Sequence, residues 1–384
     1  MKKMMLFMGL VGTGFLYLTS CQDTTKTLVA KTPKLPDVAY EYAKAMPSDS
    51  FKVASDNMPN TNQVTDGGAT LGRVLFYDPK LSLNNLVACA SCHKQDKAFS
   101  DDVALSVGFA NQKTSRNSMA IANVRYQKQY FWDQRESKLE EMVLQPVKNH
   151  VEMGMENLDN LAAKLAKVDY YPALFEKAYG TPEVTKERLG KAMAQFLHSM
   201  VSVNSKYDEG SKQNFANFSQ DELAGRELFF QKMNCSACHG GANFNERKDG
   251  SKKNVANIGL DKYYTDGGLG ARSGGSSDQV GQFKIPTLRN VSLTGPYMHD
   301  GRFKTLEEVV DHYSDRVVLH ENLDKKMRGV VRLSTGGYAN DTTQLDIAQR
   351  FNLSVQEKKS LVSFLKTLTD DKYTKDVRFA DPFQ

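Results

Sequence analysis

Tryptophan occurs once and cysteine only five times in 384 residues. Five is odd, so a framework of paired disulfides cannot account for every sulfur. No charge of one sign dominates: 50 basic against 45 acidic side chains leave +5, too small and too scattered an excess to argue for a nucleic-acid partner. Hydrophobic residues make up 40% of the chain and charged residues 25%, which excludes a multi-span membrane protein, a collagen-like chain and wholesale disorder. The length suggests two domains, or three, at roughly 100–200 residues each, ample for a buried core without covalent staples.

The first sulfur is explained by targeting. Met1-Lys2-Lys3 leads into an apolar stretch from Met4 to Leu18, followed by Thr19-Ser20-Cys21. A positive start, a short apolar run and small residues before a cut site make a secretory signal, too short to span a bilayer as a mature anchor. Leu18-Thr19-Ser20-Cys21 resembles a bacterial lipobox, in which Cys21 becomes the lipidated first residue. A plain signal peptide with a chance Cys is the blander alternative. Residues 22–50, rich in Thr, Lys, Pro and Asp, read as a tether between lipid and folded protein. Export would place the chain in an oxidising, periplasm-facing compartment, attached to the membrane by lipid alone.

The other four sulfurs fall into Cys89-Ala90-Ser91-Cys92-His93 and Cys235-Ser236-Ala237-Cys238-His239. C-x-x-C-H is the pattern of c-type haem attachment: two thioethers hold the vinyl groups, and the adjacent His supplies the proximal iron ligand. One copy could be a redox dithiol or half a zinc site. Two copies in an exported chain with no other Cys after the lipobox favour two haems. A zinc site drawn from Cys89, Cys92, Cys235 and Cys238 would leave both His residues unexplained.

A weak repeat surrounds these motifs. Leu71-Gly72-Arg73-Val74-Leu75-Phe76 precedes the first, and Ala224-Gly225-Arg226-Glu227-Leu228-Phe229 precedes the second. The shared Gly-Arg-x-Leu-Phe suggests two related cytochrome c units, although Gly72 lies 17 residues before Cys89 and Gly225 only 10 before Cys235. Helical apolar spacing runs over Leu158 to Lys167 and Glu187 to Met200, and Ser354-x-x-Glu357 opens another helix with a capping box. Segment 240–285 is dominated by Gly, Ser, Asn and Asp and reads as a long loop over the second haem. The expected fold is all-α: two cytochrome c-like haem domains with long loops, at 51–210 and 211–384.

Together these residues resemble the bacterial diheme cytochrome c peroxidase family, which includes the MauG-type diheme oxidases. The likeness runs from about Gly67 to Asp370. It rests on Phe131-Trp132-Asp133, on Pro146 through Val151-Glu152-Met153-Gly154, on Pro286-Thr287-Leu288-Arg289-Asn290, and on Tyr297-Met298-His299-Asp300-Gly301-Arg302 with Thr305-Leu306-Glu307-Glu308. The resemblance implies that the N-terminal haem reacts with hydrogen peroxide and the C-terminal haem passes it electrons. It makes His93 and His239 the proximal ligands, Glu152 the distal acid–base carboxylate, and Trp132 an electron bridge between the haems. It also aligns Asn117, Thr294 and the carbonyl of Pro296 with an interdomain calcium site, for which oxygen donors are suited.

Three departures from the ordinary peroxidases matter. Residues 94–149 contain no His, and Phe109 stands where the family's displaceable iron-capping His is expected. The first haem should therefore be open without reductive activation. Met142 replaces a distal Gln. Counting 74 residues on from His239, the family spacing for the second haem's sixth ligand, reaches Tyr313 rather than Met. A Tyr there resembles the MauG-type enzymes and would lower the potential; Met298 and His312 are the rival ligands.

The resemblance as a whole implies a periplasmic, membrane-anchored lipoprotein peroxidase taking electrons from a small cytochrome or copper protein. A MauG-like oxidase acting on a partner protein is the first alternative, favoured by Tyr313 and the missing loop His. A non-enzymatic diheme electron carrier is the second, and Glu152 speaks against it. Family members are commonly dimers, though no residue here demands a homodimer.

Overall fold

The shared Gly-Arg-x-Leu-Phe segment marks a place where two helices touch backbone to backbone. A Cβ added to Gly72 would lie 2.0 Å from the carbonyl oxygen of Ala192, and one added to Gly225 would lie 1.9 Å from that of Ser360. No side chain fits either crossing, so glycine is required for close approach rather than for flexibility. The repeat is thus a repeat of helix pairs, each packed beside one C-x-x-C-H motif.

The computed structural model describes residues 31–44, 56–248, 254–332, 338–340 and 346–383. The signal sequence 1–21, with Cys21, lies outside them. Around the first motif stand α1 (Asp66–Tyr77), α2 (Leu139–Met142), α3 (Leu144–Lys148), α4 (Leu158–Leu165), α5 (Tyr171–Tyr179) and α6 (Lys186–Ser199). Around the second stand α7 (Lys206–Ser211), α8 (Gln220–Glu227), α9 (Leu306–Asp311) and α10 (Val355–Lys366), followed by α11 (Asp371–Lys375). α8 and α9 each run on into a π-helical turn, Leu228–Lys232 and His312–Arg316.

Local chemistry starts these helices. Thr65 and Thr185 accept backbone N–H bonds as N-caps of α1 and α6, and Ser354 with Glu357 forms the capping box expected for α10. Each such cap is worth about 1 kcal/mol. The apolar faces then bury. Leu71, Leu75 and Phe76 of α1 meet Phe196 of α6, while Phe229, Phe244, Phe364 and Leu361 form the second core. Aromatic side chains pack edge to face in both, as with Phe76–Phe196 at 5.5 Å.

Strand structure is slight and modifies the all-α expectation: the described residues are helix-rich with long loops and two short ladders. β1 (Val255–Ala256) pairs antiparallel with β2 (Phe283–Lys284), closing residues 257–282 of the long 240–285 loop. β3 (Val330–Arg332) pairs antiparallel with β4 (Tyr338–Asn340).

Two boundaries differ from those read in the sequence. Residues 33–44, counted there within the tether, pack on the first lobe: Tyr42 is 1% exposed and donates its hydroxyl to the Arg378 carbonyl at 2.7 Å. The C-terminal tail likewise crosses back, placing Tyr373, Phe379 and Phe383 in the first core rather than the second. Both segments carry aromatic side chains spaced too irregularly to reveal a docking face. Tether residues 22–30 and 45–50 lie outside the described residues.

α7 belongs with the second lobe and is fixed there by a buried ion pair. Arg289 donates to both carboxylate oxygens of Asp208, at 2.8 and 2.9 Å, and Arg289 is 2% exposed. Burial alone would raise the Asp208 carboxyl, but the Arg289 hydrogen bonds and charge hold it below its usual value. The stability from this pair is therefore present above the unfolded-state pKa and lost as pH falls through the lower folded one. Asp208→Asn should cost about 3–5 kcal/mol in urea unfolding at neutral pH, the usual penalty for stranding one buried partner. A loss under about 1 kcal/mol would be that of a solvent-screened pair.

Candidate functional site

Each C-x-x-C-H motif folds as one turn of 3-10 helix, Cys89–Ser91 and Cys235–Ala237, which swings the following His back over the turn. The backbone N–H of His93 bonds the Cys89 carbonyl at 3.0 Å, and that of His239 bonds Cys235 at 2.8 Å. The rings are then set by a second bond. His93 Nδ1 donates to the Phe99 carbonyl at 2.8 Å, and His239 Nδ1 to the Phe244 carbonyl at 3.0 Å. A carbonyl can only accept, so the proton sits on Nδ1 and the Nε2 lone pair is left for a metal. Burial lowers both imidazoles, His239 to about 4, which keeps them neutral as an iron ligand must be.

None of the four Cys side chains is in a disulfide. Burial pushes the Cys89 and Cys235 thiols up to about 12. Cys89 packs against the first core and Cys235 against the second. Among the described residues no three His, Cys, Asp or Glu side chains gather as a metal-ion site. Both motifs instead line one cavity of about 500 Å³ with mainly apolar walls. Two vicinal thiols, one oriented imidazole and an apolar enclosure, each present twice, fit two covalently held porphyrins.

Glu152 lies on the wall of this cavity, in the turn that follows α3. Asn149 Nδ2 donates to Glu152 Oε1 at 3.2 Å. Burial raises the Glu152 carboxyl above its usual value, and the nearby Arg135 cation opposes that shift. Arg135 also lines the cavity, although the sequence did not single it out. Its guanidinium stacks on Phe131 at 3.6 Å, pairs with Asp133 and donates from Nε to Gln145. The available signal was its place two residues after Phe131-Trp132-Asp133.

The two departures expected near Glu152 are placed differently. Met142 lines the cavity. Phe109 is not among the lining residues: its backbone N–H donates to the Glu152 carbonyl at 2.8 Å, and its ring lies over Gly154. A Cβ on Gly154 would meet that ring at 2.8 Å, and φ there is +70°, so this Gly is needed on both counts.

Trp132 lines the same cavity and is fixed at both ends. Its Nε1–H donates to the Asn117 carbonyl at 2.9 Å, and its own carbonyl accepts from Lys284 N at 2.7 Å. Asn117 N in turn donates to the His299 carbonyl at 2.7 Å, which ties the indole to the second lobe. Asn117, Thr294 and Pro296 all line the cavity. Asn117 Nδ2 donates to the Val103 and Ala104 carbonyls, and Thr294 Oγ1 to that of Val291. These bonds leave Asn117 Oδ1 and the Pro296 carbonyl as oxygen donors of the kind calcium accepts.

At the second motif Tyr313 faces the cavity from the π-helical turn His312–Arg316. Burial raises its phenol strongly, and the Cys238 and Cys235 thiols add to the shift. Met298 also lines the cavity, from a backbone with φ +74°. His312 does not line it; its Nε2 is committed to the Ile258 carbonyl at 2.9 Å. Of the three side chains weighed as sixth ligand, Tyr313 and Met298 line the cavity and His312 does not.

The chain is similar to known proteins. The profile of the family described as "Di-haem cytochrome c peroxidase" matches residues 66–215. The "Cytochrome c551 peroxidase" of Nitrosomonas europaea is 32% identical over 306 residues, 79% of this chain and 80% of that protein. The "Methylamine utilization protein MauG" of Methylophilus methylotrophus is 29% identical over 346 residues, 89% of this chain and 94% of that protein. A crystal structure of a MauG-like protein associated with microbial copper homeostasis superposes with a TM-score of 0.73 at 30% identity, covering 89% of this chain and 98% of that one.

The purified protein should carry two covalent haems, counted by mass spectrometry after denaturation. Replacing Cys235 and Cys238 by Ser should leave one haem, and replacing Cys89 and Cys92 should leave the other; an unchanged count in either variant would remove that motif as an attachment site.

Proposed function

Because the chain belongs to the di-haem cytochrome c peroxidase family, whose members imply two c-type haems, we propose that it reduces hydrogen peroxide to water with electrons from a small cytochrome or copper protein. The observation that carries this reading is Glu152, a titratable side chain on the wall of the cavity shared by Cys89, Cys92 and His93. Bound haem would supply a redox-active iron for peroxide at the N-terminal motif and an electron relay at the C-terminal one.

The chain's own residues supply positioning and proton transfer. Cys89 and Cys92 would hold one porphyrin and Cys235 and Cys238 the other, while His93 and His239 each offer Nε2 to iron. Glu152 takes the proton from one peroxide oxygen and delivers it to the other, which departs as water with the O–O electron pair; two electrons from the donor protein and two further protons reduce the remaining oxygen to a second water. Burial suits it to this role, because a carboxyl raised above its usual range holds the proton long enough to return it. Asn149 keeps Oε1 in place, and Arg135 limits how far the carboxyl is raised. Trp132, clamped between Asn117 and Lys284, would carry the electron between the two haems. Calcium on Asn117, Thr294 and Pro296 would stiffen that junction, and Cys21 would anchor the protein in a periplasm-facing membrane.

Tyr313 favours a second reading, a MauG-like oxidase that draws electrons from residues of a partner protein. A phenolate ligand at the second site lowers its potential and makes it a poorer acceptor of electrons from a small carrier. Steady-state peroxide turnover with a reduced small cytochrome separates the two: sustained turnover supports the peroxidase, and its absence supports the oxidase.

Glu152→Gln should slow the reaction with peroxide by about 10²–10⁴-fold in stopped-flow measurements, the usual contribution of a positioned acid–base group. In the unaltered protein the rate should rise with pH through a carboxyl titration above the ordinary Glu range, since the base form starts the transfer. Arg135→Gln should move that titration higher, because the cation that lowers it is gone; a profile unmoved by both changes would take Glu152 out of the mechanism. Tyr313→Phe should alter the absorption and electron paramagnetic resonance spectra of the second haem, and unchanged spectra would remove Tyr313 as its ligand.

A further inference from the structure

Lys284 is a buried cation with no counter-charge among the described residues. It closes β2, with its backbone N–H on the Trp132 carbonyl, and only 5% of its surface is exposed. Its side chain lines the cavity that joins the two C-x-x-C-H motifs. Among the described residues its Nζ makes neither an ion pair nor a hydrogen bond. Buried ammonium groups are ordinarily paired, because an isolated charge loses its hydration without return.

The acidic groups nearby are already committed. Asp133 accepts from Arg116 and Arg135, and Asp266 accepts from Arg116 through two oxygens. Lys284 is therefore a surplus positive charge presented to the cavity rather than to the protein. With no carboxylate beside it, burial alone brings its ammonium down to about 8. Haem brings the missing partner: two propionates extend from the ring edge away from the thioether-bound vinyl groups.

We propose that Lys284 is the counter-ion of a haem propionate at the junction of the two sites. It rests on the haem-bearing part of the proposed function and holds whichever reaction the haems perform. One residue would then join the porphyrin edge, through its ammonium, to the Trp132 backbone, through its N–H. Neutralising a propionate favours the reduced iron, so Lys284 would also set the potential of the haem it touches.

The test is spectroelectrochemical titration of the two-haem protein, with resonance Raman spectra of the propionate-bending modes. Lys284→Gln removes the charge and should shift the ferric–ferrous balance of one haem about tenfold towards ferric, or about 59 mV for one electron. The propionate band of that haem should move with it, and Lys284→Arg should restore both. Lys284→Met serves as a second neutral variant. Two-haem protein in which either neutral variant leaves both potentials and both bands unchanged overturns the proposal. A shift that Lys284→Arg fails to restore also overturns it, in favour of a packing role. Protein that purifies without any haem even when unaltered would instead overturn the reading on which the proposal rests.

Discussion

The hydrogen bonds from His93 Nδ1 to the Phe99 carbonyl and from His239 Nδ1 to the Phe244 carbonyl set the direction of both imidazole rings, and the site is arranged around them. They fix the tautomer, point Nε2 at the cavity and leave each ring neutral. Each acceptor carbonyl belongs to a residue in left-handed backbone, with φ +59° at Phe99 and +52° at Phe244. Bulky residues enter that region rarely, at a cost of order 1 kcal/mol, and remain there only when surrounding structure holds them.

The holding device recurs. Antiparallel bridges close loops between residues six apart: Lys94–Ser100, Val107–Lys113, Tyr130–Glu136, Gly240–Glu246 and Tyr297–Phe303. Each loop contains two residues with positive φ, and each carries something the cavity needs. The first and fourth present the carbonyls that hold the histidines. The second pins the Glu152 turn through Phe109, the third bears Trp132 and Arg135, and the last bears Met298 and His299. Helices supply the scaffold, but these closed loops aim the side chains.

The two lobes share that scaffold and differ in what it surrounds. At the first motif a carboxylic acid stands on the cavity wall beside a Met in place of an amide. At the second, a Tyr reaches in from a π-helical turn, a feature that often accompanies functional positions. The asymmetry puts a carboxyl on the wall of one lobe and a phenol on that of the other. Between them, Trp132 and Lys284 share one backbone hydrogen bond, so the indole and the surplus charge are placed by the same contact.

Short-range chemistry was legible without coordinates. C-x-x-C-H states its purpose within five residues, and the Ser354–Glu357 capping box is complete within four, because the interacting atoms are close along the chain. The glycines of the repeat were visible, though their reason was not: Gly72 meets Ala192 and Gly225 meets Ser360, partners more than a hundred residues away. The left-handed loops were hidden because Phe, Met and Ala occupy positions where turn chemistry would lead one to expect Gly or Asn. The return of Tyr42 and Phe379 to the first core was hidden too, since neither segment has a periodic apolar face.

The sequence by itself therefore determined the attachment chemistry, the family and the identities of Glu152, Trp132 and Tyr313 as residues of interest, since each is written in a local segment. Only the tertiary structure decided that Phe109 braces the Glu152 turn from outside the cavity, that His312 is spent on a backbone carbonyl, and that Lys284 lines the cavity with no ion-pair partner among the described residues. Burial and the direction of a side chain depend on what distant segments leave open, and no local pattern encodes that.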